Sequence, residues 1–392
     1  MFQYIIDIRA GGLRALCALF FIFAMSGCSK QIHSDMAVSF LPCSGEFISS
    51  AGDQLSLVDA VHNASSADYV LIGEGHTSLC DHEVQFKLIQ GLTSNHRKVA
   101  IGFEMVSSDK QDVLNRFNLG QLSLNDLPEK LDWKNEWRYD FNFFRPIFEL
   151  AKERELTVAA LNFPFRLMKE VHAKGLEGLS AADRALLPKN VIMPPKQQEE
   201  SLKEVLSMHP NSDPSDSKQV HRFLLIQSLW DTTMAERAVS LRRRAGTPVV
   251  VLAGAGHVEQ GWGIAHRLKE LDPEAKIFMF MPWRGDNFYP AEADSFFYCP
   301  PSYESRLGMT LEMRQGKAVV VAVKRDQKAF RIGIRPGDVL AEAQGIPVHS
   351  LSALHMAGAK AHKENKPLVF KMDRRGNTFS IDLGLLVRSK KD

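Results

Sequence analysis

Between residue 56 and about residue 285, short apolar runs alternate with longer amphipathic stretches. The runs at 69–73, 99–103, 157–161, 248–253 and 276–281 are almost continuously apolar. Strands covered by helices on both faces read this way. Helical periodicity fills 82–94, 109–118, 143–155 and 261–271. The alternation predicts an α/β fold whose mostly parallel sheet is flanked by helices. Residues 162–246 interrupt it with a helical insertion, punctuated by Pro194-Pro195 and by the breaker run from His209 to Pro214. After that run a long helix is predicted over about 217–245. Its apolar stripe passes through Val220, Phe223, Leu224, Trp230, Met234 and Leu241, and Gln227 and Asp231 lie on the same stripe. Residues 282–301 read as a connection. From 302 to 388 short strands and turns, at Arg335-Pro336-Gly337-Asp338 and Arg375-Gly376-Asn377, predict a separate small β-rich domain.

The first 28 residues have another character. Arg9 and Arg14 lead into an apolar run over 15–25, too short to span a bilayer and the right length for a secretory segment. Ala24-Met25-Ser26-Gly27-Cys28 resembles a bacterial lipobox. The resemblance implies a signal peptide over 1–28, cleavage before Cys28, and fatty-acyl (palmitate) lipidation of Cys28. Ser29 after the cysteine implies an outer-membrane lipoprotein facing the periplasm, anchored by its lipid. Residues 29–55 then read as a tether. Cys43, Cys80 and Cys299 remain in an oxidising compartment. Three thiols allow at most one internal disulfide. Cys43 with Cys299, which flank the main domain, and three free thiols are both open.

Composition narrows the class. The chain of 392 residues is long enough for two or three domains. With 45% hydrophobic and 24% charged residues, wholesale disorder is excluded. Forty-eight basic against 46 acidic residues, with no dense basic run, give no electrostatic case for binding nucleic acid. No internal run of about 20 apolar residues exists to span a membrane.

The chemistry gathers where the strands end. The first run leads into Glu74-Gly75-His76, the second into Glu104, the third into Asn162 and the fourth into Gly254-Ala255-Gly256-His257. Open parallel sheets bind ligands outside the carboxyl ends of their strands. Two carboxylates, an amide and two histidines are therefore expected at one edge. Gly73 and Gly254 are expected to turn the chain sharply, and Gly75 and Gly256 to leave room beside the histidines. Neither glycine-rich segment has the lysine of a phosphate loop or a GxGxxG pattern. His76, Cys80 and His82 lack zinc-finger spacing. His76, Glu104 and His257 suit a catalytic divalent metal or an activated water.

Leu71-Ile72-Gly73-Glu74-Gly75-His76, Gly102-Phe103-Glu104-Met105, Ala160-Leu161-Asn162, the run from Gln227 to Ala235, and Ala253-Gly254-Ala255-Gly256-His257 occur in that order. Together they resemble the ChaN-type haem-binding lipoproteins, relatives of the Tiki/TraB proteases and erythromycin esterase-like hydrolases, over residues 56–285. The resemblance implies iron acquisition or haem handling, with haem bound in a homodimer as two haems between two protomers. Its cofactor-binding residues would be Glu74, His76, Glu104, Asn162, Trp230, Asp231 and His257, with His76 and His257 as candidate iron ligands. Trp137, Phe141, Phe143, Phe144 and Trp230 are candidate walls. Family members use a tyrosine ligand, for which Tyr139 is the nearest candidate. The superfamily's hydrolases imply an alternative, metal-dependent hydrolysis with His76, Glu104 and His257 as catalytic residues.

Residues 302–388 resemble a PDZ domain. Arg306-Leu307-Gly308-Met309 matches the carboxylate-binding loop, and Arg335-Pro336-Gly337-Asp338 the turn before a later strand. Leu307, Gly308 and Met309 would receive the carboxyl terminus of a peptide or protein partner, with 351–358 as the groove helix.

Overall fold

The computed structural model describes residues 38–385, apart from Leu41, Arg138, residues 208–214, Asp286, Arg306 and Gln315. The predicted signal segment with Cys28, and the breaker run at 209–214, lie outside the described residues.

The larger sheet has eight strands. In chain order they are β1 (Phe47–Ser49), β2 (Gln54–Leu55), β3 (Tyr69–Glu74), β4 (Ala100–Ser107), β5 (Thr157–Asn162), β6 (Val249–Gly254), β7 (Ile277–Trp283) and β8 (Ser295–Tyr298). Across the sheet the order is β2-β1-β8-β7-β3-β6-β4-β5. The six strands from β8 to β5 run parallel, while β1 pairs antiparallel with β8 and with β2. Side chains alternate between the two faces. Val70, Ile72, Ile101, Phe103, Val250 and Leu252 enter one core. Tyr69, Leu71, Ala100, Val249, Val251 and Ala253 enter the other. Both faces are buried, which is why the strands read as unbroken apolar runs.

Two stretches differ from expectation. The predicted tether contains β1, whose Phe47 and Ile48 are buried, and β2, and the predicted connection contains β8. These strands have two to four residues, too few for a period to show, and they form only where the parallel sheet offers an edge. The long helix spans Ser217–Ala245, capped by the Asp216 carboxylate and ended by Gly246 in the left-handed region. Its lower half packs on the sheet through Met234, Ala238 and Leu241. Its upper half packs on the insertion through Ile226 and Leu229, which meet Phe163 and Leu167. Two buried faces replace the single stripe, and Val220, Phe223 and Trp230 are only half-buried. No helix among the described residues is long and apolar enough to cross a membrane.

The second sheet is antiparallel: β9 (Ser302–Glu304), β10 (Met309–Arg314), β11 (Lys317–Val323), β12 (Val339–Ala343), β13 (Ile346–Pro347), β14 (Val369–Arg374) and β15 (Asn377–Asp382). With the helix Leu351–Glu364 it encloses its own core of Leu311, Val320, Leu340, Ala357 and Met372.

Neither of the two open readings, Cys43 paired with Cys299 or three free thiols, holds. Cys299 is bonded to Cys80, and Cys43 is an exposed free thiol. Cys80 lies in the first turn of the helix Leu79–Leu92, and Cys299 directly follows β8, with Cα atoms 5.8 Å apart. That spacing suits a bridge, and only the sheet order creates it, across a separation of 219 residues.

Candidate functional site

The carboxyl ends of β3, β6, β4 and β5 are adjacent, and each delivers a polar side chain. β3 and β6 are neighbours in register from Tyr69 with Val249 to Glu74 with Gly254. The segments after them therefore emerge side by side. Strand order also reverses here, because the chain runs from β3 outward to β5 and then returns to insert β6 beside β3. Such a switch point opens a crevice.

Glu74 is buried and bound on both oxygens. It lies 3.0 Å from His76 Nδ1 and accepts from Gln85 Nε2 at 2.8 Å. His82, also buried, lies 3.5 Å from the same carboxylate, contacts the His76 carbonyl at 3.3 Å, and stacks on Phe143. The His76 ring meets Trp137 edge-on, with centroids 4.8 Å apart, and Tyr139 at 5.3 Å. Burial pushes the His76 imidazole down. Its bond to Glu74 and the charges of Glu104 and Glu74 outweigh that, and the net shift is upward. Glu74 engages Nδ1, so Nε2 is the nitrogen left for a ligand, the arrangement that orients metal-binding histidines.

A second relay stands beside the first. Glu104 accepts from the Gly254 amide at 2.6 Å and lies 3.5 Å from His257 Nε2. His257 Nδ1 meets Asp231 at 2.6 Å. Burial disfavours the charged imidazole, but the Glu104 and Asp231 carboxylates outweigh it and raise its pKa from 6.5 to about 9. His257 is thus an imidazolium held between two carboxylates. Asp231 is anchored in turn by Gln198 Nε2 at 3.2 Å and by Arg267, whose guanidinium is 3.5 Å away and fully buried. Asn162 donates to the Glu104 carbonyl at 3.2 Å and accepts from the Phe163 amide.

Gly254 is needed for space and not for a left-handed turn, since its φ is −54°. A Cβ there would stand 2.8 Å from His76 Cε1. A Cβ on Gly256 would meet nothing within 4 Å, so the room expected at Gly256 is required at Gly254.

The edge opens into a cleft of about 590 Å³ lined by His76, Trp137, Tyr139, Phe165, Trp230 and His257, with Glu104, Asn162, Arg166 and Lys169 among its polar atoms. A second cleft of about 410 Å³ shares His76, Gln227 and His257 and adds Glu74 and Trp262. The indole N–H groups of Trp137 and Trp230 are buried without a hydrogen-bond partner. An aromatic slot beside the imidazole nitrogen that Glu74 leaves open fits a flat, partly polar ligand.

Of the residues predicted from sequence, His76, Glu104, Asn162, Trp230 and His257 line the first cleft, and Glu74 the second. Asp231 lies behind His257. Phe141 and Phe144 are buried in the core instead of forming walls, and Phe143 stacks on His82. Cys80, bonded to Cys299, offers no thiolate to a metal. Gln85, Gln198 and Arg267 were not legible as site residues. The one signal for Arg267 is a charge between Ile264 and Leu268 on the apolar stripe of its helix. Leu307, Gly308 and Met309 lie in the second domain, where Gly308 has φ +82° and Met309 is buried.

A family model described as haem-binding uptake, Tiki superfamily, ChaN matches residues 60–268, and a PDZ domain model matches residues 305–385. The structure of ChaN of Campylobacter jejuni with cofacially bound haem is similar at 18% identity and a TM-score of 0.53, covering 64% of this chain and 95% of that one. At that identity the likeness shows the fold. An erythromycin esterase mutant in its open conformation aligns at 15% identity and a TM-score of 0.35, over 71% of this chain and 83% of that one. A succinoglycan biosynthesis protein aligns at 14% and 0.37, over 57% and 68%. No curated protein matches the chain in sequence.

Proposed function

The chain belongs to the haem-binding uptake family ChaN of the Tiki superfamily and carries a PDZ domain, and from that premise we propose that it binds haem at the cleft between His76 and His257 and recruits a protein partner through the PDZ domain. The observation that carries the reading is the junction of an aromatic slot with a carboxylate-oriented imidazole: Glu74 holds His76 Nδ1 while Trp137, Tyr139, Phe165 and Trp230 form the walls. Bound haem would supply an iron centre that nitrogen or oxygen donors of the protein would hold. On this reading His76 Nε2 is the ligand nitrogen and Tyr139, beside it, the candidate oxygen ligand. His257 has a different part. Both of its ring nitrogens face carboxylates, Nδ1 at Asp231 and Nε2 at Glu104, so it holds Glu104 in place. Metal ligation requires neutral imidazole, so His76 gives up its proton on binding, and binding strengthens as pH rises through its raised pKa.

Titrating haem into the full chain in detergent, followed by absorbance, tests this. A saturable, shifted Soret band is expected for the wild type, lost in His76→Ala and altered in Tyr139→Phe. A chain without a saturable band is not a haem binder. A second reading, metal-dependent hydrolysis by His76, Glu104 and His257, is favoured by the buried Asp231–His257–Glu104 relay opening onto the same cleft. It requires turnover that disappears with chelator and with Glu104→Gln.

We also propose that Cys28 is lipidated and anchors the chain at the outer membrane, facing the periplasm. The apolar run at 15–25 and the small residues before Cys28 support this, as does a disulfide in the body of the chain. Radiolabelled palmitate should enter the wild type and not Cys28→Ala.

A further inference from the structure

A PDZ domain takes a partner's carboxyl terminus in two ways at once. The peptide adds as an antiparallel strand to a sheet edge, and its carboxylate meets backbone N–H groups of the loop at the start of that edge. In this chain the edge strand is β10 and the loop is Leu307-Gly308-Met309. A strand has two edges. One edge of β10 pairs with β11 in the hairpin from Met309 with Val323 to Arg314 with Lys317. The other is the edge a peptide would need.

That edge is filled by the chain itself. β9 runs antiparallel along it, with Glu304 opposite Thr310, Tyr303 opposite Leu311 and Ser302 opposite Glu312. The pairing continues at both ends: the Met313 amide donates to the Pro301 carbonyl at 2.9 Å, and the Ser305 amide to the Met309 carbonyl at 2.8 Å. With bonds at 301/313 and 305/309, the antiparallel alternation puts Tyr303 and Leu311 in a hydrogen-bonded pair. The loop donors are spent as well. The Gly308 amide donates to the Ser305 carbonyl at 2.9 Å, and the Met309 amide to Ser305 Oγ at 3.4 Å. Ser305 thus offers two oxygens to the loop where a terminal carboxylate would offer its own, and β9 approaches the loop with the polarity of a bound peptide. Lys324 holds the strand from the side, 2.5 Å from Glu304 and 3.4 Å from Asp140 of the larger domain.

We infer that residues 301–305 are a built-in occupant of the PDZ edge, and that a partner's carboxyl-terminal peptide binds only by displacing them. This rests on the peptide-recruiting reading of the domain given above. The occupant is made to leave. It is three residues long as a strand, and Tyr303 is exposed. It contributes no side chain to the buried core of the domain, so its departure exposes no apolar interior. The root of β9 lies against the site: Pro301 and Ser302 share a small cleft of about 210 Å³ with Gly75, Thr77 and Ser78, the loop that carries His76. A competing peptide must therefore work against a strand anchored at its start by the Cys80–Cys299 bond and at its end by Lys324. A short tether gives an effective concentration in the millimolar range, so an occupant with an intrinsic affinity of about 0.1 mM weakens a competitor about tenfold.

The test uses the segment against itself. The probe is a fluorescein-labelled peptide Pro-Pro-Ser-Tyr-Glu-Ser with a free carboxyl terminus, titrated by fluorescence polarisation into the full chain, into Tyr303→Pro, which removes the central ladder N–H of β9, and into Glu304→Lys, which sets two like charges together at Lys324. Thermal unfolding checks that both variants remain folded. The peptide is expected to bind both variants about tenfold or more tightly than wild type, and the same peptide with a terminal amide to bind neither. Equal affinity for all three chains overturns the cis occupant while leaving peptide recruitment standing. No binding to any of the folded chains overturns both.

Discussion

His257 keeps its proton in a place where burial alone would remove it. The Asp231 and Glu104 carboxylates flank it, and its pKa stands at about 9 against an ordinary 6.5. A histidine raised in the folded state lends stability that is fully present below its unfolded pKa and is lost as pH rises through the folded one. The window is therefore about pH 6.5 to 9. A shift of that size corresponds to at most about 3 kcal/mol. The expected result is a thermal midpoint that falls across this window in wild type and much less in His257→Gln. Equal slopes in the two proteins would mean that the relay does not hold the charge. Arg267 makes the arrangement affordable, since a buried carboxylate without a cation is costly.

At the scale of elements, the site depends on two adjacent parallel strands ending at the same level. β3 and β6 bring the His76 and His257 segments together, and the absence of a side chain at Gly254 lets the His76 ring lie over the end of β6. Gly254→Ala would place a methyl group 2.8 Å from His76 Cε1. The backbone conformation there suits alanine, so the strain falls on the ring and not on the fold. The variant should unfold within about 1 kcal/mol of wild type, as substitutions with compatible backbone geometry do, yet bind haem at least about tenfold more weakly. The absorbance titration reads the second effect and urea unfolding the first. The same scale explains why the ends of the larger sheet escaped the sequence. β1, β2 and β8 are too short to show a period, whereas β3, β4, β5, β6 and β7 announce themselves by runs of six to eight residues.

For the whole molecule, the Cys80–Cys299 bond ties the helix after the His76 loop to the residue just before the second domain. Beside it, Arg284 pairs with Asp81 at 2.8 Å and donates to the Cys299 carbonyl at 3.1 Å, while Asp81 accepts the Gly75 amide at 2.7 Å. The bond closes a loop of 219 residues, and loss of such a bond costs about 2–5 kcal/mol. Cys299→Ser should lower the urea midpoint accordingly and make it indifferent to reductant. Cys43→Ser, at an exposed free thiol, should leave the midpoint unchanged. An unaltered midpoint in Cys299→Ser would show that the bridge is not formed in solution.

The sequence alone determined the layer architecture, the edge at which the chemistry collects, and the separate β-rich domain. Each of these follows from local order: apolar runs of strand length, the residue that follows each run, and glycine-marked turns. Tertiary structure decided the rest, because it depends on distances between residues far apart in the chain. Cys80 met Cys299 because β8 lies on the outer flank of β7, and Asp231 met His257 because a 29-residue helix packs across β5, β4 and β6. Gln85, Gln198 and Arg267 entered the site as partners of those groups. β9 came to fill the β10 edge because a hairpin, invisible to periodicity at three residues, offers backbone donors and acceptors that any strand of the right polarity can satisfy.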